Sequence, residues 1–176
     1  MVKTSDMWSK IYLGVLAVSV ILISFFTYYS WSWLQSIGLP MAAVAGYEYH
    51  AGLALPMLWI STIALLILGS AVLWTSGRAW AMWVTFLYFA LFVMLRYFWL
   101  DQAFFQFKKT NGIADSTLSM APILAVVLVV LMAIIVFFNT FLVVRLRAKT
   151  YPATAHSDTG LDSEEVVLKR KTPGSN

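Results

Sequence analysis

The sequence predicts an all-α integral membrane protein, a four-helix bundle of antiparallel spans followed by a flexible polar tail. Three observations carry that expectation. Apolar residues make up 61% of the chain and charged residues 11%, against about 45–50% and about 25% in soluble domains. The apolar residues gather into four runs, each near or above the ~20 residues that cross a ~30 Å hydrocarbon layer. Short polar segments containing Gly, Pro, Asn or Ser separate most of the runs. A water-soluble fold of this composition would expose large apolar areas, which soluble proteins avoid. At 176 residues, a single transmembrane domain over residues 1–149 is expected, with residues 150–176 as the tail.

The first run, residues 11–34, is too long for the apolar part of a signal peptide. It ends in Tyr28, Tyr29, Trp31 and Trp33, residues that suit the headgroup level. Gly14, Ala17 and Ser24 share one side with Trp31, which suits close helix contact. Residues 35–53 read as an outer loop. Gly38 and Pro40 punctuate it, and it holds no Lys or Arg. At most a short helix is expected in it, over residues 40–45.

The second span is expected over residues 55–74. Pro56 would then sit in its first turn, where a missing N–H removes no helical bond. Ser61, Thr62 and Ser70 can satisfy themselves on backbone carbonyls of the same helix. Gly77 is a left-handed helix stop, and the brief connection around it makes spans two and three neighbours.

The third span covers residues 79–100, with a helical extension to 109 and a stop at Asn111 and Gly112. It is the most aromatic part of the chain. The fourth span covers residues 119–146, with Ser119 as a cap and Pro122 in the first turn. Asn139 is its strongly polar interior residue, with bridging between helices and an interfacial position equally open. Arg145, Arg147 and Lys149 end it. In the tail, residues 162–171 run from acidic to basic, in keeping with a helix dipole, but so short a helix is marginal alone.

Four spans put both termini on one side. Lys3, Lys10, Arg78, Arg145, Arg147 and Lys149 fall there, and Arg96, Lys108 and Lys109 on the other. The positive-inside rule then makes both termini cytoplasmic. Basic residues at chain and helix ends read as topology signals, not as a nucleic-acid surface. The expected partners are membrane lipid and another membrane subunit or a second copy of the chain, with no nucleic acid.

The chain contains no cysteine, which excludes thiol chemistry and thiolate metal sites. No Asp or Glu lies inside a span, where a proton-coupled exporter would want one. His50 is the one histidine of residues 1–149, too few for a bis-histidine haem. Nucleophile-elbow, P-loop and Glu-x-x-His motifs are missing. No cofactor and no metal are expected, and the balance leans away from an enzyme.

Chemistry-bearing residues concentrate at one end of the bundle. Arg96 lies 18 residues beyond Arg78, about 27 Å along a helix, so it belongs at the outer interface. The outer loop and the end of span three then bring Glu48, His50, Arg96, Asp101 and Lys108 together, beside Tyr47, Tyr49, Tyr97, Trp99 and Trp31. The cluster admits three readings. In the leading one, Arg96 anchors at headgroups and pairs with Glu48, tying the loop to span three. In the second, Arg96 and Lys108 help bind an anionic lipid or small polar ligand. In the third, Glu48 and His50 start a metal site, for which two ligands are too few. Arg96 and Asp101 are five apart and should not share a helix face, so a convergent site requires the loop. The leading function is a non-catalytic membrane component that acts by packing against lipid or a partner subunit. Ligand binding at the outer cluster, with or without catalysis, comes second, and a transporter or channel subunit third.

Overall fold

A computed structural model describes residues 2–35, 39–113 and 121–150. All elements among the described residues are helical. Helix α1 is Val2–Gln35, α2 is Pro40–Ser76 and α3 is Trp80–Met94. A π-helical turn, Leu95–Leu100, joins α3 directly to α4, Asp101–Thr110, and α5 is Ala121–Thr150. Four stretches are long and apolar enough to cross a membrane: Asp6–Gln35, Pro40–Ser76, Trp80–Thr110 and Pro122–Thr150. The expected tail and the start of the fourth span at residue 119 lie outside the described residues.

The largest departure from expectation is the supposed outer loop. From Pro40 onward it is helix, continuous with the second span. Leu39 is extended (φ −61°, ψ 129°) and its carbonyl accepts the first helical bonds, from Ala42 at 2.9 Å and Ala43 at 3.2 Å. Pro40 supplies a preset first helical position. Burial then recurs at Ala43, Tyr47, Ala51, Ala54 and Leu58, which is helical spacing. Pro56 therefore lies inside the helix, not in its first turn. It removes one main-chain bond, to Gly52.

The stops fall where the glycines are. Gly77 has φ 75° and its N–H bonds the Leu73 carbonyl at 2.8 Å. Gly112 has φ 69°, and Ile113 N–H closes onto the Lys108 carbonyl at 2.9 Å. Both conformations favour a residue without Cβ.

The larger core is aliphatic and aromatic. Leu58, Leu65 and Val72 of α2 meet Ala81, Met82, Phe89 and Val93 of α3, with Tyr12 of α1 and Ala125, Met132 and Val136 of α5. Tyr12 is fully buried. Its hydroxyl donates to the Ala81 carbonyl at 2.8 Å and lies 2.9 Å from Thr85 Oγ1, so its polar end is satisfied. The inward side of α1 is Tyr12, Ser19, Ile23, Ser30 and Leu34. Gly14, Ala17 and Ser24, expected to pack, lie on its exposed side. A large partnered tyrosine, not a small-residue seam, sets the rotation of this helix. Asn139 does bridge: its Nδ2 donates to Ser70 Oγ at 2.9 Å.

A second, smaller core holds Leu34, Tyr47, Ala51 and Leu100, with Trp31, Ala103, Phe104 and Phe107 against it. Thr27, Ala54, Leu55, Phe92 and Arg96 meet around one small cavity between the two cores, which fixes a common depth for three helices. At 34, 37 and 31 residues, these helices are about 51, 56 and 46 Å long. Each exceeds the ~30 Å hydrocarbon layer.

Gly46 of α2 lies directly against the Trp33 ring of α1. A Cβ there would lie 2.2 Å from Trp33 Cδ2. Gly46→Ala should therefore cost about 1–3 kcal/mol by overpacking, while Gly52→Ala, with open space at its Cβ position, should not destabilise. Thermal denaturation of both variants in one detergent checks this pair.

Candidate functional site

The C-terminal end of the third span is organised by the π-helical turn. Asp101 N–H bonds the Arg96 carbonyl, an i→i+5 bond that takes in one extra residue. In an α-helix, residues five apart face different ways. Here the wider turn brings the two side chains together, and Arg96 Nη1 lies 3.0 Å from Asp101 Oδ1. This overturns the expectation that they cannot share a face. Both side chains are about one-fifth exposed (20% and 19%).

Tyr47 of α2 completes the arrangement. Its hydroxyl donates to Asp101 Oδ1 at 2.6 Å and accepts a hydrogen bond from Arg96 Nη1. The Arg96 guanidinium carbon lies 5.2 Å from the Tyr47 ring centre. Tyr47 is 2% exposed, so its oxygen needs these partners. Phe104 stacks on the other end of the system, 3.9 Å from the Tyr47 ring centre with planes 13° apart. Lys108 then lies over Phe104, its Nζ 4.8 Å from the ring centre. Phe104 and Lys108 are four apart on α4, the spacing of same-face neighbours. Trp31 of α1 stacks on Trp99 at 4.5 Å and closes the group from the third helix.

The expected tether from Glu48 to Arg96 is replaced by one from Tyr47. The physical reason is the helix that stands in place of the loop. Successive residues on a helix turn by about 100°, so a buried Tyr47 leaves Glu48 on the exposed side. The one ion pair among the described residues is Arg96 with Asp101.

His50 belongs to a different surface of α2, the one that faces α1. Its Nδ1 lies 2.8 Å from the Gly46 carbonyl. Its ring stacks on Tyr29 (5.7 Å, 16°), meets Tyr49 edge-on at 5.2 Å and lies 6.4 Å from Trp33. Of the five residues singled out in the sequence, Arg96 and Asp101 come into contact, and Lys108 joins them through two aromatic rings. Glu48 and His50 point elsewhere. Among the described residues, no three of His, Asp and Glu gather as metal ligands would.

The chemistry this arrangement offers is that of a clasp. One cation and one carboxylate cancel, and the phenol between them donates to one and accepts from the other. An anionic ligand at Arg96 would have to compete with Asp101 for its charge. Tyr47, the keystone, was legible only as one of several outer aromatics. The signal that points to it is the helical spacing from Ala43 to Leu58. A charge pair five apart in an apolar helix is the matching signal for the π turn, because charges at such a depth are found paired.

No protein-family model matches the chain, and neither a curated protein nor a solved structure does.

Removing one member of the clasp strands the others. Tyr47→Phe should destabilise by about 1.5–3 kcal/mol, the worth of hydrogen bonds to charged groups. Asp101→Asn and Arg96→Gln should each destabilise, and the double variant should lose less than their sum, with a coupling of about 0.5–3 kcal/mol. Equilibrium unfolding of the three variants and the double variant in mixed micelles gives all the required differences. Strict additivity would dissolve the clasp.

Proposed function

We propose that the protein is a multispanning membrane component without catalytic chemistry of its own, acting through packing against lipid or a partner subunit, a second copy included. The observation that carries this reading is the closure of Arg96 on Asp101 and Tyr47. A cation held for an anionic ligand keeps its charge uncompensated, whereas Arg96 has Asp101 as its counter-ion within the chain. The apolar outward side of α5 supports the same reading. Phe137, Phe138, Phe141 and Leu142 are 64%, 63%, 55% and 55% exposed, a surface suited to acyl chains or another span.

The four spans are proposed to run antiparallel with both termini in the cytoplasm. Asn139 bonds Ser70, seven residues before Gly77, so the C-terminal halves of α2 and α5 meet, as alternating spans require. With Arg96 neutralised by Asp101, the cationic excess at that end supports the cytoplasmic assignment.

Two measurements test this. Reporter fusions at Asn176 and within residues 114–117 are expected to report opposite sides, the former cytoplasmic; an outward C-terminus would reverse the orientation. Native mass spectrometry after gentle extraction should find lipid or a subunit that is retained in the Arg96→Gln/Asp101→Asn variant. Phe138→Ser with Phe141→Ser should lower its occupancy. A stoichiometric small polar ligand lost with Arg96→Gln would refute the packing role and make the outer cluster a binding site.

A further inference from the structure

Between α1 and α2, Ser19, Leu22, Ile23, Met57, Ile60 and Ser61 line a cleft of about 260 Å³. Its other lining side chains are apolar, and its polar side chains are two serines. Tyr88 of α3 lies behind them, its hydroxyl 2.7 Å from Ser61 Oγ. Leu22 and Ile60 at the rim are 44% and 69% exposed, so the cleft opens sideways to the lipid-facing surface. Tyr88 precedes Arg96 by 8 residues, about 12 Å along the helix. That depth puts the hydroxyls well inside the hydrocarbon layer.

The hydrogens of this group are already committed. Ser19 donates to the Val15 carbonyl at 2.7 Å, and Ser61 to the Leu58 carbonyl at 3.0 Å. With the Ser61 hydrogen engaged there, Tyr88 is the donor in their short contact. A hydroxyl oxygen also carries two acceptor lone pairs, and those are what remain. A site that can accept and has no hydrogen to give selects a ligand that donates.

We propose that this cleft binds a membrane-soluble alcohol. Its O–H donates to Ser19 or Ser61 Oγ, and its apolar body lies on Leu22, Ile23, Met57 and Ile60. A ketone, ester or quinone brings only acceptors and meets no free donor. A charged headgroup does not enter at that depth without a large desolvation penalty. An unsubstituted acyl chain fits the walls and gains nothing from the hydroxyls. The volume falls just below the roughly 300–1,000 Å³ of ordinary small-molecule sites, so the cleft encloses the hydroxyl-bearing portion and leaves the rest in the bilayer. This site is separate from the Arg96 clasp, and its failure leaves the packing role untouched.

The test uses the full chain in phosphatidylcholine nanodiscs and a matched pair of photoprobes. One is a long-chain alcohol with a diazirine beside a mid-chain hydroxyl, and the other is its methyl ether. The alcohol should label Leu22, Met57 or Ile60, and the ether should label them about tenfold less, the worth of one hydrogen bond. The Ser19→Ala/Ser61→Ala variant, checked for unchanged elution, should label equally weakly with both. Equal labelling of the unaltered protein by alcohol and ether overturns the proposal, and that comparison needs no variant. So does an alcohol preference that survives in the double alanine variant.

Discussion

An arginine at the edge of a hydrocarbon layer must keep its charge solvated, reach headgroups or find a counter-ion. Much of the structure around the end of α3 follows from how Arg96 finds its partner. Its counter-ion is on its own helix, at a spacing an α-helix cannot use. The backbone takes in one extra residue, and the π turn Leu95–Leu100 is the result. That turn re-aims everything after it. Asp101 is brought back toward the bundle, and α4 leaves with Ala103, Phe104 and Phe107 against Leu34, Tyr47 and Ala51. A regular helix would carry those aromatics to a different side.

The clasp also explains why the N-terminal part of α2 is helical. Tyr47 must present a phenol to both ends of the ion pair, which requires a rigid approach on a defined face. An irregular loop at the membrane surface would leave its own N–H and C=O groups to be satisfied. A helix satisfies them internally and delivers a side chain every turn. Ala43, Tyr47 and Ala51 occupy the inward face, and small residues on either side let the tyrosine ring come close to Phe104. The two cores thus divide by depth. The larger one is held by apolar packing with Tyr12 and Asn139 as polar pins. The outer one is held by stacked rings around one charge pair.

Much of the fold is readable from residues alone because composition and helix stops are local signals. Four apolar runs, Gly77 and Gly112 required little context. The 35–53 segment was misread for a definite reason: Gly38 and Pro40 read as loop punctuation, yet Pro40 opens a helix that sets Glu48 outward and His50 toward α1. Averaging over the segment hides that pattern, and only the period through Tyr47 reveals it. The rule that residues five apart do not meet failed at Arg96 and Asp101 for a complementary reason. It presumes a regular helix, and pairing two charges at low dielectric outweighs the modest disturbance of a single wide turn. Small residues at Gly14, Ala17 and Ser24 misled because side-chain size says nothing about which face a partnered tyrosine has claimed.

The polar groups of this protein obey one rule at two depths, and the difference in outcome is chemical. Arg96, Asp101 and Tyr47 meet one another as donor, acceptor and go-between, and the charge of Arg96 is compensated within the chain. Deeper in, Ser19, Ser61 and Tyr88 place their hydrogens on backbone carbonyls and on each other. Hydroxyls have more acceptor capacity than donor capacity, so closing all their hydrogens still leaves lone pairs. In water that surplus is met by solvent. Beside a cleft open to hydrocarbon, the available donors are those that dissolve there. The two clusters therefore differ in kind: one compensates a charge, and the other holds hydroxyls with lone pairs to spare.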